Sequence, residues 1–455
     1  MKSVRNRQCM LMTLLNAVLL LSGCASMSAS PDYQTKIQQE QTLPAWSQSD
    51  EAESVISLNS LIASAQLNQL VETAIQHNPT LQQTWLTLRI RQTQLQQTDA
   101  ARQPQISAAA GATRSENADD NFTSRIDISW QADLWGKLKA NSQAATQDVN
   151  EQALLYQAAR DSLSAEVMKA WLNLTATSHA ITIEKQRLKT LEQNERYIVQ
   201  RYRNGIGTLE DLDNARSSSA QSRASLAAFQ EDYRQQQRDL KTLLGQTNTA
   251  DIEAPASYPE VKLAWADVPE QTLARRPDLQ AAYIAIEADQ LRTEVAYKEL
   301  LPSLDIGAAL EDAASSPHQA LMGSPLWSLL AQLTAPIYQG GQLRAAAKEA
   351  ELNEAYSYQR YRETLLTAVN EVEQYLSLEQ NLLTRQQHIA DALKSAQNSL
   401  EQYQTSYRTG LVDILDLLTV QQQTYNLEAT LDNLIYQRLI NRINLGLALG
   451  LRTTP

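Results

Sequence analysis

The segment Tyr202-Arg203-Asn204-Gly205 recurs 205 residues later as Tyr407-Arg408-Thr409-Gly410. The same offset relates Gly136-Lys137-Leu138-Lys139-Ala140 to Gly341-Gln342-Leu343-Arg344-Ala345, and Leu244-Gly245 to Leu449-Gly450. Self-similarity at a fixed offset is the sequence signature of a repeated structural unit. Two copies of one unit therefore make up most of the chain.

Each copy contains one very long stretch without helix-terminating residues. No glycine or proline lies between Gly136 and Gly205, and none lies between Gly341 and Gly410. At about 1.5 Å per residue, such a stretch forms a helix roughly 100 Å long. Shorter stretches of the same kind flank it at 80–103, 208–244, 278–301 and 411–445. The predicted order in each copy is helix, gap, very long helix, tight turn, helix.

The long helices carry a seam of apolar and aromatic residues spaced alternately four and three apart, which is the coiled-coil pattern. In the second copy the seam is Ile389, Leu393, Ala396, Leu400, Tyr403 and Tyr407, and it continues after the turn through Leu417, Val420, Thr424, Leu427, Leu431 and Leu434. The first copy follows it through Leu188, Leu191, Ile198 and Tyr202. Taken alone, this pattern is typical of a solvated helical hairpin.

The gap in each copy predicts a β-hairpin, because its residues alternate with a period of two. The strongest apolar rows are Phe122, Ser124, Ile126, Ile128, Trp130, Ala132, Leu134 and Trp327, Leu329, Ala331, Leu333, Ala335, Ile337. Weaker strands precede them, beginning at Ile106 and Leu304, so the hairpins span 103–134 and 302–337, with loops near 115–121 and 312–325. These strands alone are also compatible with a soluble sheet that has one buried face.

The N-terminus indicates export and lipidation. Lys2, Arg5 and Arg7 precede an apolar run that ends in Leu21-Ser22-Gly23-Cys24, which predicts a signal peptide over 1–23 and a lipid on Cys24. Cys9 leaves with the signal, so no disulfide forms within the mature chain. Ala25 follows the cysteine in place of the aspartate that commonly retains such lipoproteins at the inner membrane. This favours the outer membrane.

Composition narrows the function classes. The net charge is −12, and an acidic chain argues against nucleic-acid binding. No apolar run of about twenty residues follows the signal, so only a closed β-barrel could cross a bilayer, and four strands are too few unless the chain oligomerises. The four histidines occur singly, without metal-ligand spacing, and are predicted to be surface residues: His77, His179, His318, His388. The sequence also lacks a phosphate-binding glycine loop. We therefore expect no enzymatic activity, no metal site and no cofactor beyond the lipid.

With these features in place, the chain resembles the TolC-type outer-membrane factors, particularly their lipoprotein (NodT-like) branch of efflux channels. The matching pieces cover roughly residues 60 to 450: Asp133-Leu134-Trp135-Gly136-Lys137, Ala274-Arg275-Arg276-Pro277-Asp278-Leu279, Leu301-Pro302, Ala335-Pro336-Ile337-Tyr338-Gln339-Gly340-Gly341 and both Tyr-Arg-x-Gly turns. The resemblance implies a mainly α protein with a membrane β-barrel portion. It also implies that three chains pool twelve strands into one barrel and that the long helices continue it as a periplasmic tunnel.

On this basis the chain divides as follows. A lipidated linker covers 24–60, the first repeat 61–245, an inter-repeat linker or equatorial belt 246–276, the second repeat 277–450, and a short tail 451–455. The resemblance implies a homotrimer that works with outer-membrane lipid, a periplasmic adaptor and an inner-membrane transporter, here expected to be of the resistance-nodulation-division type. Passive ducts of this kind leave the choice of cargo to the transporter.

The resemblance also implies a gate. In this family aspartates at the sixth and ninth positions after the second turn glycine ring the periplasmic mouth. Counting from Gly410, Asp416 is the sixth residue and Thr419 replaces the ninth, so Asp413, one turn before Asp416, is a candidate for the second ring. In the first copy Asp211 occupies the sixth position after Gly205, and Tyr202 and Tyr407 match aromatic positions near a helix latch. The alternative is that these acids only stabilise helix starts, by a few tenths to 1 kcal/mol.

The two tight turns are the predicted docking points for the adaptor, because they reverse the chain at the ends of the longest helices. The residues concerned are Asn204, Gly205, Thr409 and Gly410. Two other functions remain open from the sequence. One is the outer-membrane component of type I protein secretion, and the other is a periplasmic coiled-coil lipoprotein without a pore.

Overall fold

The computed structural model describes residues 33–40, 46, 53, 55, 57–116, 118–246, 251–264 and 274–454. The predicted signal peptide, Cys24 and most of the 24–60 linker lie outside the described residues. Two compact units are present. One comprises residues 33–40, Leu95–Gln147 and Ile286–Tyr358, and the other comprises the described parts of Gln41–Gln94, Asp148–Ala285 and Gln359–Pro455.

The element order follows the two copies. The first copy holds α2 Ala65–His77, α3 Pro79–Ala100, β1 Gln105–Ser115, β2 Ala118–Ala132, α4 Lys137–Arg203 and α5 Leu209–Leu243. The second holds α6 Pro277–Lys298, β3 Ser303–Ala314, α7 Pro317–Met322, β4 Leu326–Thr334, α8 Gln342–Arg408 and α9 Ile414–Ala448. A short helix α1, Tyr33–Glu40, and a 3-10 turn, Leu58–Leu61, come before them.

The two long helices confirm the prediction from breaker spacing. Helices α4 and α8 each have 67 residues, and each begins just after one glycine and ends just before the next. At the far turn, Gly205 and Gly410 adopt φ of 72° and 77°. The amides of Ile206 and Leu411 then donate to the carbonyls of Arg201 and Ser406, at 3.0 Å and 2.9 Å. This left-handed glycine cap ends each helix in the same way.

The two copies also join the helix before the β-hairpin to the last helix in the same way. Asn78, which precedes the proline of α3, donates from Nδ2 to the carbonyl of Leu243 at 2.9 Å. Its counterpart Arg276 donates from Nη1 to the carbonyl of Ala448 at 3.3 Å. In each copy, the residue before the helix that precedes the β-hairpin is therefore hydrogen-bonded to the end of the last helix.

The four strands form one antiparallel sheet in the order β1-β2-β3-β4. The register sets Ile106 opposite Ile128, Ile128 opposite Ala308, and Ala308 opposite Leu329. Since side chains on one strand alternate between faces, all four predicted apolar rows share one face. Each hairpin was predicted correctly, and the structure adds the β2–β3 pairing that joins them.

The hairpin loops differ from the prediction. Strand β2 begins at Ala118 and β3 extends to Ala314, so both strands run into the residues predicted as loop. The second loop also contains α7, which is capped by Ser316 and has Pro317 at its first turn. The Ser124 hydroxyl donates to the carbonyl of Ala320, which places α7 against the sheet. A six-residue helix is too short to show a periodic pattern in the sequence.

The second unit has its own apolar core. The core combines the middle of α4, the 3-10 turn, α2, the inter-repeat segment and the end of α9, through buried residues that include Leu58, Leu61, Leu67, Met168, Trp171, Leu172, Val261 and Ile443. Helix α2 is not among the predicted elements, since the first predicted helix of this copy covers only 80–103. Among the helices of the described residues, none is long and apolar enough to cross a membrane.

Candidate functional site

The ends of the two long hairpins meet in a small apolar cluster within the second unit. Ile198, Leu212 and Ala215 come from the first hairpin, and Ile414 and Leu417 come from the second; all five are buried. Tyr407 packs against this cluster. The Arg201 guanidinium lies 6.0 Å from the centre of the Tyr407 ring, and its Nη1 is 3.5 Å from the Tyr407 hydroxyl. Tyr407 therefore contacts residues of both hairpins.

Beyond this cluster the two hairpins are joined by polar contacts. Asn194 Nδ2 donates to Gln421 Oε1 at 2.8 Å, and the hydroxyls of Thr190 and Tyr425 are 3.0 Å apart. Arg187 donates to Gln422. Hydrogen bonds of this kind have geometric requirements but a small net stabilisation, about 0.5–1.5 kcal/mol each. Near their turns the hairpins are thus joined by five buried apolar residues and, next to these, by side-chain hydrogen bonds.

Asp211 belongs to a capping box at the start of α5. Its backbone N–H donates to the Thr208 hydroxyl, and its carboxylate accepts from the Thr208 N–H, each at 3.1 Å. Hydrogen bonds from the Thr208 side chain and backbone hold the pKa of Asp211 below its ordinary value, and Arg201 adds to the effect. These contacts support the helix-start alternative for Asp211.

Asp413 is the N-cap of α9, one residue before the helix begins. Its carboxylate Oδ1 accepts the backbone N–H of Asp416 at 3.0 Å, so Asp413 is engaged in capping the helix. Asp416 itself is exposed, and its carboxylate has no hydrogen bond or ion pair within the described part of the chain. Asp416 is accordingly the acid at this end that stays available.

The other predicted gate residues differ from one another. Thr419 is exposed, and its hydroxyl donates to the carbonyl of Leu415 at 2.8 Å, so it presents little beyond its methyl group. Tyr202 is 42% exposed, unlike its counterpart Tyr407. The two tyrosines thus occupy equivalent positions with different surroundings.

The turn residues Asn204, Gly205, Thr409 and Gly410 are all exposed. Ile206 and Leu411 follow the two glycines and are 67% and 78% exposed. They occupy equivalent positions in the repeat and leave one apolar side chain on each turn. The sequence contains a signal for this pair, since both apolar residues directly follow the turn glycine.

Two polar clusters join segments that are far apart in the sequence, so no local pattern predicts their contacts. His179 Nδ1 lies 2.9 Å from Asp432 Oδ1, and the Tyr258 hydroxyl donates to Asp432 Oδ2 at 3.0 Å. Burial and the neighbouring Asp432 carboxylate raise the pKa of the Tyr258 hydroxyl. His179 is therefore not the isolated surface residue that its spacing predicted; it ties the inter-repeat segment to α4 and α9.

Arg276 forms the second cluster. It pairs with Glu371 at 2.8 Å and with Asp278 at 2.7 Å. Burial alone lowers the pKa of its guanidinium, but these two acids raise it above the ordinary value overall. Within the described residues, no group of three or more His, Cys, Asp or Glu side chains could hold a metal ion.

The arrangement combines a four-stranded antiparallel sheet that has one apolar face with two long helical hairpins that end in glycine turns. The family model for outer membrane efflux proteins matches residues 70–246 and 268–451. The chain belongs to the outer membrane efflux protein family. This confirms the prediction of an outer-membrane efflux component and does not support a scaffold without a pore.

Individual relatives resemble the chain over most of its length, and a solved structure shares its fold. The chain is 25% identical to the probable outer membrane lipoprotein SilC of Salmonella typhimurium, over 96% of this chain and 97% of that one. It is 27% identical to the outer membrane protein OprJ of Pseudomonas aeruginosa, over 86% and 85%. The solved open state of the MtrE outer membrane channel of Neisseria gonorrhoeae matches with a TM-score of 0.80 at 21% identity, over 90% and 94%.

Proposed function

We propose that this chain forms a homotrimeric duct in the outer membrane that completes a tripartite efflux pump. The main support for this proposal is the sheet register, which aligns the apolar rows of both hairpins on one face. The edges of the sheet are β1 and β4, and in a bilayer their unpaired backbone groups need partners. Three chains, each pairing its β4 with the β1 of the next chain, would satisfy the backbone groups of both edges and close a twelve-stranded barrel.

Two adjacent residues of β2 test this proposal. Ile128 lies on the apolar face, and Ser129 lies on the opposite face. A charge on a lipid-exposed position near the middle of a bilayer costs about 2 to 4 kcal/mol. Ile128→Arg should therefore strongly reduce the yield of heat-modifiable trimer, whereas Ser129→Arg should leave it near the wild-type level. Equal loss in both variants would remove the membrane assignment of this sheet.

The long hairpins are then the periplasmic duct, and their turns meet the adaptor. The exposed apolar pair Ile206 and Leu411 supports this, because a solvated turn gains nothing from such side chains while a docking surface does. Cysteines placed at Asn204 or Thr409 should crosslink to the adaptor in an active pump. An active pump whose turn cysteines never crosslink would contradict the docking.

The lipid on Cys24 adds an anchor outside the barrel. The relative SilC is named an outer membrane lipoprotein, and the small residues before Cys24 fit the processing site. Cys24→Ser should lose fatty-acid labelling and lower efflux without abolishing it. Labelling that persists in the variant would exclude this cysteine.

The gate of the proposed duct is Asp416. In a trimer, three-fold symmetry repeats each unpaired Asp416 carboxylate three times around one axis. Such a ring favours cations at the periplasmic mouth. The cargo is chosen by the transporter, which we infer to be of the resistance-nodulation-division type from the resemblance to its channels.

A further inference from the structure

The junction between the strands and the long helices contains an open cleft of about 560 Å³ in the first unit. Its lining combines the segment after β2 with the segment after β4 and the end of α6. Trp135 Nε1 donates to the carbonyl of Pro302 at 2.7 Å, so the two copies are tied together at this point. The cleft is therefore a built feature of the sheet end.

The rim of the cleft is strongly apolar and exposed. Ile337 is 96% exposed and Tyr338 is 87% exposed, and Leu134 and Trp135 are about half exposed. These four residues follow within four positions of the ends of β2 and β4. They add exposed apolar surface beyond the last hydrogen-bonded residues of the sheet, where a membrane-embedded sheet would meet the lipid headgroups.

Four charged side chains line the same cleft, and two of them already have hydrogen-bond or ion-pair partners. Lys298 pairs with Glu294 and donates to the carbonyl of Gly136 at 3.2 Å. Asp133 accepts the backbone N–H groups of Leu138 and Lys139. The other two, Lys137 and Glu299, have no hydrogen bond or ion pair within the described residues. One free cation and one free anion thus share an apolar-rimmed cleft.

We propose that this cleft binds the headgroup of a phospholipid that carries a primary ammonium, of the phosphatidylethanolamine type. Lys137 would hold the phosphate, Glu299 would accept hydrogen bonds from the ammonium, and the acyl chains would lie along Leu134 and Ile337. A primary ammonium has three N–H donors, whereas a choline headgroup has none to offer a carboxylate. This inference rests on the proposed insertion of the sheet into the outer membrane.

Lipid retention tests it. The full-length protein is reconstituted in nanodiscs of phosphatidylcholine with increasing phosphatidylethanolamine, and the lipids retained after release are counted by native mass spectrometry. A charge-assisted hydrogen bond contributes about 1.5–3 kcal/mol, so wild type should prefer the ethanolamine lipid about tenfold or more. Glu299→Gln should lose this preference while still retaining lipid, and Lys137→Gln should lower retention of both lipids.

Two variants of the same unit serve as controls. Glu349→Gln removes a negative charge, as Glu299→Gln does, and Lys139→Gln removes a positive charge, as Lys137→Gln does. Both control positions are exposed and do not line the cleft, so both variants should retain lipid as wild type does. Equal retention of the two lipids by wild type, or the same behaviour of Glu299→Gln and Glu349→Gln, would overturn the inference. So would a Tyr338→Cys side chain that trimer assembly protects from a soluble thiol reagent in lipid-free detergent, because a neighbouring chain would then cover the cleft.

Channel recordings on the same samples separate this inference from the proposed function. Wild-type protein that conducts but shows no lipid preference would contradict only the headgroup site. Protein that fails to conduct in any lipid would contradict the duct itself.

Discussion

The ends of the two long hairpins have the same backbone and different chemistry. Thr208 and Asp413 are equivalent N-caps, and Asp211 and Asp416 are equivalent acids three residues later. The first pair closes a reciprocal capping box, whereas in the second pair only the N-cap side chain is used. The two ends thus differ both in the N-cap residue and in whether the following carboxylate is hydrogen-bonded.

The physical reason is charge. A threonine hydroxyl is neutral, so the Asp211 carboxylate can approach the Thr208 N–H without repulsion. At the second end the N-cap is itself a carboxylate, and a second carboxylate beside it is opposed by like charge. Asp416 then stays in solvent. A single difference between the copies thus converts a structural acid into a candidate functional one.

The largest expected effect concerns the apolar contact between the hairpins. Ile414 is 6% exposed, and its counterpart in the first copy, Leu209, is 56% exposed. Ile414→Ala should cost about 2 to 4 kcal/mol, and Leu209→Ala should cost less than about 0.5 kcal/mol. Hydrogen exchange at the starts of α9 and α5 measures the difference, since local opening reports local stability.

That pair of variants can also break the comparison. If both alanine variants accelerate exchange equally, the first hairpin buries its leucine as the second buries its isoleucine. The two ends would then pack symmetrically, and the asymmetry described above would not hold.

A smaller effect is expected at the first N-cap. Thr208→Ala removes the hydroxyl that accepts the Asp211 N–H and should destabilise the start of α5 by about 1 kcal/mol. Exchange of the first α5 amides should rise about fivefold, with the start of α9 unchanged. Thr208→Ser, which keeps the hydroxyl, is the control and should behave as wild type.

The Asp413→Thr variant should have the smallest effect on stability, but it tests the role of Asp416 in the channel. Aspartate and threonine cap helices almost equally well, so α9 should keep its stability within about 0.5 kcal/mol. The new threonine recreates the first end, and Asp416 should enter a capping box as Asp211 does. Cation selectivity of the channel should fall, and a variant that keeps wild-type selectivity would show that the N-cap does not control Asp416.

Much of this fold could be predicted from the sequence, because helix breakers and alternation are local signals. Gly136, Gly205, Gly341 and Gly410 delimit both long helices, and the apolar rows give the correct faces of the strands. The pairing of β2 with β3 and the short helix α7 could not be predicted in this way. Both depend on contacts between segments far apart in the sequence.

The candidate site was less predictable for the same reason. Spacing from the turn glycine found Asp211 and Asp416 but could not distinguish them, since their roles depend on the hydrogen bonds of Thr208 and Asp413. Spacing also predicted His179 as a surface residue, although Asp432 and Tyr258 lie beside it in the fold. Hydrogen-bond partners from other segments leave no periodic trace in a sequence.

The most direct measurement is the cation selectivity of single channels in planar bilayers for Asp416→Asn and Asp211→Asn. Both variants remove one negative charge per chain at equivalent positions. The available acid at the second end predicts that Asp416→Asn lowers cation selectivity or raises conductance, and that Asp211→Asn leaves both at the wild-type level. Equal effects of the two variants, or no effect of Asp416→Asn, would contradict the claim that the second end alone supplies the gating acid.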